Sequence, residues 1–304
     1  MSGKRKGRPM HFVSAKSILN PHGMNIYRGC AHGCVYCDSR SKCYQFTHDF
    51  EDIEVKQNAP ELLEEALRKK RRRCMIGTGS MGDPYIPAEK ELRLTRRCLE
   101  IIDRYNFGAA VLTKSDLVLR DLDLLSSINK KTKAVVQMTL TTADDELCKI
   151  LEPGVCPTSR RVQVLRECKK LGIPTVVWFT PLLPFINDTQ ENIDAIFGYC
   201  AEAGVKAILC FGIGLTLREG NREYFYAALE RAALRDKRFA GLKERYQKTY
   251  GNSYVVSSPR ERELMARLAR HCEEKNIMLG TDSVFKWMEE FPAAAQDPMQ
   301  PELF

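Results

Sequence analysis

The chain has 304 residues, with 47 lysines and arginines against 39 aspartates and glutamates and a formal net charge of +8. Apolar residues at 44% and charged residues at 28% are ordinary globular values, so wholesale disorder is excluded, and no run of about 18 uncharged apolar residues exists to span a membrane. The N-terminus is basic (Lys4, Arg5, Lys6, Arg8) without the apolar stretch of a secretory signal, which predicts a cytoplasmic protein.

In chain order, residues 1–15 read as a basic tail, and the first apolar run is Met24–Tyr27. Further runs follow at Cys74–Thr78, Ala109–Thr113, Ala134–Leu140, Thr175–Thr180 and Lys206–Gly212. Each is β-branched or apolar, as strands of a parallel sheet covered on both faces must be. Between them Pro60–Lys70, Glu89–Tyr105, Asp116–Ile128, Thr158–Leu171 and Thr189–Ala203 carry helical spacing. Leu-Gly-Ile-Pro at 171–174 and Ala-Gly-Val at 203–205 read as helix stops. Strand and helix alternate, which predicts an α/β fold of parallel topology. The alternation ends near residue 214. Beyond it Arg222–Arg235, Arg260–Lys275 and Ser283–Glu290 predict a helical C-terminal extension over 215–291, followed by a flexible tail at 292–304.

Twelve cysteines in a chain of this length are expected as reduced thiols, not as a disulfide framework. Most are scattered among apolar neighbours and read as small core residues. Cys30-Ala-His-Gly-Cys34-Val-Tyr-Cys37 differs, since it gathers three thiols on a short glycine-containing loop. Three thiolates can take three corners of one iron–sulfur cluster and leave the fourth iron open. A structural zinc ion would want a fourth ligand, and His32 lies inside the loop at a spacing that zinc fingers do not use.

This Cys-x3-Cys-x2-Cys pattern, with Tyr36 just before its last cysteine, resembles the signature of radical S-adenosylmethionine (SAM) enzymes. The resemblance implies a partial (β/α)6 TIM-type barrel at 16–214 and a [4Fe-4S] cluster held by Cys30, Cys34 and Cys37, with SAM chelating the open iron. An electron from a reductant such as flavodoxin or ferredoxin would then cleave SAM to a 5′-deoxyadenosyl radical that abstracts hydrogen from the substrate. Barrel enzymes place their chemistry at the C-terminal ends of the strands. There the chain carries Gly77-Thr-Gly-Ser-Met-Gly-Asp-Pro-Tyr85, Thr113-Lys-Ser115 and Thr139-Leu-Thr-Thr142. A lysine at the end of a buried strand needs an anionic partner. The hydroxyls can hold an amino or ribose group, or close local turns.

These loops, with Lys16-Ser-Ile-Leu-Asn20, Glu152-Pro-Gly154 and Arg160-Arg161, look like the spore photoproduct lyase group over roughly residues 16–212. The resemblance implies cofactor-binding roles for Tyr36, Ser80, Lys114, Thr139, Thr141, Glu152, Thr180 and Leu182. Lys114 would bind the SAM carboxylate, Thr139 or Thr141 its amino or ribose group, and backbone at Thr180–Leu182 its adenine, with Glu152 ordering that end of the barrel. Two positions depart from the group. Ser80 stands where the lyase has a hydrogen-returning cysteine, and its O–H bond is too strong for that step; Asp38 replaces a relay tyrosine. Tyr85 and Cys210 are the remaining candidates for the hydrogen donor. The resemblance implies lyase-like radical chemistry on damaged DNA or another nucleic acid. The alternatives are a radical SAM enzyme of a peptide or small metabolite, or a non-enzymatic iron–sulfur or zinc protein. The terminal Gln300-Pro-Glu-Leu303-Phe304 resembles the peptide by which bacterial repair proteins dock on the DNA sliding clamp, Leu303 and Phe304 filling an apolar pocket. The basic run Arg68–Arg73 is expected at the end of the barrel away from the chemistry.

Overall fold

Strands β1 (Gly23–Met24), β2 (Met75–Thr78), β3 (Gly108–Thr113), β4 (Ala134–Thr139), β5 (Thr175–Trp178) and β6 (Ala207–Leu209) lie side by side in chain order, each parallel to the next. This is a computed structural model, which describes residues 9–20, 23–79 and 81–292. Parallel neighbours require long crossovers. Helices α1 (Ala59–Lys69), α2 (Leu94–Arg104), α3 (Leu122–Lys131), α4 (Thr158–Lys170) and α5 (Gln190–Ala203) supply them. The fold is therefore the expected α/β partial barrel. β4 reads Ala-Val-Val-Gln-Met-Thr, and every one of its side chains is buried, because helices cover one face and the barrel interior the other. Its one amide, on Gln137, accepts the Trp178 indole N–H through Oε1 at 2.7 Å.

Local backbone chemistry moves several boundaries. The run Met24–Tyr27 divides: Tyr27–Arg28 leaves the main sheet and pairs with Ile53–Lys56, whose other edge takes up Met10–Val13. A strand thus lies inside the stretch expected as a tail. Arg93 adopts a left-handed φ of 52°, which splits the helix expected over Glu89–Tyr105 into Glu89–Leu92 and α2. The run expected to continue to Gly212 ends at Leu209, and Gly212 (φ +105°) then turns the chain so that Gly214–Thr216 pairs antiparallel with Val255–Ser257. A side chain at Gly212 would also collide with the Glu261 carboxylate.

The C-terminal extension is helical, as expected, but it also lengthens the sheet of the partial barrel. β7 (Met278–Leu279) adds a seventh parallel strand beside β6. α6 (Glu261–Glu274) packs on α5, where Arg267 holds Asp194 through two contacts of 2.6 Å. Leu215, Phe225, Phe239 and Tyr246 from the extension form one buried apolar cluster with Cys34, Val35 and Tyr36 of the cysteine loop. The extension therefore backs the loop on which the chemistry was expected. The exposed run at Arg68–Arg72 precedes β2 and so lies at the opposite end of the sheet from its C-terminal loops. Among the described residues no helix is long and apolar enough to cross a membrane. Lys4 to Arg8, Ser80 and the clamp-type residues Gln300, Leu303 and Phe304 lie outside the described residues.

Candidate active site

At the C-terminal ends of the barrel strands a cavity of about 410 Å³ opens, and Cys30, Cys34 and Cys37 all line it. Their loop is fastened from two sides. The Cys30 N–H donates to the Phe50 carbonyl at 3.2 Å, that of Val35 to Leu151 at 2.9 Å, and that of Gly154 to His32 at 2.8 Å. Gly154 is required by this approach: a Cβ there would stand 2.4 Å from the His32 carbonyl oxygen. Gly154→Ala is accordingly expected to displace the loop, costing about 1–3 kcal/mol of stability and lowering iron retention, measurable as melting temperature and iron per chain.

The residues around the thiols form a charged frame. Asp83 accepts from Thr113 Oγ1 and the Lys114 N–H, both at 2.7 Å, and from the Tyr85 N–H at 2.8 Å, so one carboxylate joins the loops after β2 and β3. His32 Nδ1 lies 3.4 Å from Asp83. Burial pushes the thiols of Cys34 and Cys37 up. Burial also opposes ionisation of Cys30, but the adjacent His32 outweighs it and holds that thiol below its ordinary value. Lys114 lines the cavity, with its ammonium 5.9 Å from the centre of the Tyr36 ring. Burial works against its charge, yet Cys34 and Glu152 more than compensate and raise its pKa.

Tyr36, Lys114, Thr139 and Thr180 thus share the cavity with the cysteines. Glu152 and Thr141 stand behind its wall. Glu152 is fully buried, accepts from the Tyr36 hydroxyl, and pairs with the fully buried Arg161 at 2.5 Å. Thr141 Oγ1 is 3.4 Å from the same carboxylate. Leu182 is buried in the core, and its neighbour Pro181 faces the cavity instead. The structure does not bring Tyr85 or Cys210 to the cavity wall. The Tyr85 hydroxyl donates to Asp121 at 3.0 Å in the interior, and the Cys210 thiol is engaged by the Gly212 carbonyl and Met265 sulfur, both at 3.6 Å. Asp38 does line the cavity, accepting from the Tyr44 hydroxyl at 3.1 Å and lying 3.4 Å from Arg218.

Sequence reasoning gave no site role to Asp83, Trp178, Phe211 or Glu261, nor to the hairpin Gly214–Thr216 and Val255–Ser257, all of which contribute to the cavity wall. Trp178 and Phe211 could have been found, since they sit at or just beyond the ends of β5 and β6. The hairpin strands are only three residues each and pair across a long intervening segment, so periodicity carries no sign of them.

Residues 24–196 match the family model described as the Radical SAM superfamily. The chain belongs to that superfamily. It is therefore a radical SAM enzyme, and membership implies a [4Fe-4S] cluster and SAM. An uncharacterized protein of Mycobacterium tuberculosis is 30% identical over 277 residues, covering 84% of this chain and 78% of its own. An uncharacterized protein of Methanocaldococcus jannaschii is 32% identical over 190 residues, 60% of this chain and 70% of its own. The radical SAM Nalpha-GlyT isomerase of Pseudomonas phage M6 is 25% identical over 208 residues, 68% of this chain and 41% of its own. Among solved structures, a spore photoproduct lyase variant shares the fold with a TM-score of 0.63 over 89% of this chain and 80% of that one, at 14% identity. A further variant, with bound AdoMet and dinucleoside spore photoproduct, gives 0.60 at 13% identity over the same shares.

The donor set fits a cluster better than a single ion. One tetrahedral zinc draws its thiolates to about 3.8 Å from one another, given Zn–S bonds of about 2.3 Å. Among the described residues the ligand atoms that gather within 4.8 Å of one another belong to a different group, so the three sulfurs of the loop are spread more widely.

Proposed function

We propose that this radical SAM enzyme acts on a nucleobase within DNA or another nucleic acid, with Cys30, Cys34 and Cys37 holding the [4Fe-4S] cluster. When bound there, the cluster would supply one-electron reduction of SAM, the chemistry from which radical SAM enzymes obtain their hydrogen-abstracting species. The protein's task is then to seat SAM, present one substrate carbon and keep water away. Lys114 offers a fixed positive charge for a carboxylate, Thr139 and Thr180 offer hydroxyls for the amino or ribose groups, and Asp83 holds the loops after β2 and β3 in register.

The observation that carries the substrate class is the mouth of the cavity. Phe211 is 52% exposed and packs on Trp178, with ring centres 5.4 Å apart and both rings contributing to the cavity wall. The exposed Phe211 ring, backed by the half-buried Trp178 at the cavity, is a surface on which a flat base can stack. Arg218, stacked on the exposed Tyr254 at 5.0 Å, adds a positive charge near Asp38. The lyase structure with a bound dinucleoside lesion supports the same reading.

The test uses anaerobically reconstituted protein, a reductant, SAM deuterated at C5′, and ultraviolet-treated DNA. Deuterium is expected in one nucleoside after digestion. Phe211→Ala should raise the apparent KM for DNA about 5- to 150-fold, the equivalent of one lost stack at about 1–3 kcal/mol, while leaving DNA-independent SAM cleavage unchanged. Vigorous 5′-deoxyadenosine formation with no exchange into any DNA, and exchange instead into a peptide or metabolite, would overturn the substrate class but not the cofactor chemistry.

A further inference from the structure

We propose a second metal site, remote from the cysteine loop in chemistry though linked to it by the backbone: a divalent transition-metal ion of the zinc type held by His11, His48 and Glu54. His11 and Glu54 are directly paired residues on adjacent strands, Met10–Val13 and Ile53–Lys56, so their side chains emerge together from one face of the small sheet. The loop before Ile53–Lys56 places His48 over them. One ligand atom from each of the three residues lies within 4.8 Å of the other two.

The hydrogen bonding around the two imidazoles matches what a metal requires. A ligating histidine uses one ring nitrogen for the ion and gives the other to a carboxylate or carbonyl, which sets its tautomer. His48 Nδ1 is 3.0 Å from the Asp49 carbonyl oxygen, and His11 Nδ1 is 3.1 Å from Asp52 Oδ1. Both rings therefore have Nε2 left over. His48 Nε2 is sealed from solvent and has no hydrogen-bond partner; Glu54, at 4.0 Å, is too far to accept from it. A buried nitrogen lone pair facing a carboxylate costs free energy, which a proton or a metal ion between them removes. Arg28 pairs with Glu54 only at the long distance of 3.9 Å, because its guanidinium also serves the carbonyls of Tyr44 and Gln45 and the Phe46 ring, and it leaves His48 Nε2 without a hydrogen-bond partner. Two imidazoles and one carboxylate form a zinc donor set that leaves a coordination position open. An ion here would tie the N-terminal strand to residues 48–54, the segment whose Phe50 carbonyl anchors the Cys30 N–H.

The experiment uses cluster-loaded protein, in which the thiols of the loop are occupied, dialysed anaerobically against micromolar zinc. One zinc per chain is expected beyond the iron, with X-ray absorption at the zinc edge showing nitrogen and oxygen neighbours, imidazole scattering and no sulfur. His48→Ala and the milder Glu54→Gln should each lose zinc at unchanged iron content, and Asp52→Asn should weaken binding about 10- to 100-fold. Zinc should raise the melting temperature of the parent protein and not that of the variants. Absence of stoichiometric zinc, sulfur in the first coordination sphere, or full binding by His11→Ala/His48→Ala would each overturn the proposal; the absorption spectrum of the parent protein alone can do so if the variants fold poorly.

Discussion

Changing any one of Cys30, Cys34 or Cys37 to alanine is expected to abolish the iron–sulfur chromophore and to reduce SAM cleavage below detection after anaerobic reconstitution. The three thiols share one cavity, and the remaining nine cysteines do not contribute to its wall. Loss of one thiol would leave only two of the three side chains proposed to hold the cluster. Cys98→Ala and Cys200→Ala provide the contrast: both thiols are fully buried in the main core, where burial pushes their pKa values up and keeps them protonated, and both variants should keep their iron. Iron and sulfide per chain, with 5′-deoxyadenosine as the second readout, check this. Full iron content in Cys34→Ala would remove the basis for the cluster assignment.

The second large effect concerns the layer beneath the cavity. Glu152→Ala should destabilise the protein by about 3–5 kcal/mol, because it leaves the guanidinium of Arg161 buried without its carboxylate. That corresponds to a fall in melting temperature on the order of 10 °C. The same change removes the acceptor of the Tyr36 hydroxyl, so iron should also be lost faster. Replacing both partners, Glu152→Gln with Arg161→Met, should recover part of the stability, since no charge is then stranded. The pH dependence has a definite sign. Burial alone would raise the Glu152 pKa, but Arg161 and Lys114 outweigh it and hold the carboxyl below its ordinary range. A carboxyl depressed in the folded state stabilises above its unfolded pKa and loses that contribution only as pH falls through the folded value. The stability difference between parent and Glu152→Gln should therefore stay constant from pH 8 to pH 6 and shrink only in acid, as denaturant titrations across this range would reveal.

Much of the site was open to reading along the chain because its pieces are local. The cysteines fall within eight residues, and Lys114 and Thr139 follow strands whose apolar runs are unmistakable. The hydrogen-donor candidates fared differently, since a residue's place in the chain says nothing about where its side chain turns. Tyr85 follows the right loop yet points to Asp121, and Cys210 follows the right strand yet turns toward Met265. The role of Asp83 was hidden for a related reason: its three acceptor contacts reach residues two, thirty and thirty-one positions away, and only the assembled barrel brings the distant pair to it.

What the amino-acid order determined by itself was the alternation of buried strands and amphipathic helices, and with it the parallel sheet. Those features depend on periodicity and on neighbours within a few residues, and both are written in the chain. Folding alone decided that the C-terminal extension would add β7 to the sheet, back the cysteine loop with its own core and line the cavity with a hairpin. It also decided that His11, His48 and Glu54 would meet. Strands of two or three residues have almost no propensity of their own, and contacts across forty or more positions are selected by the packing of whole layers.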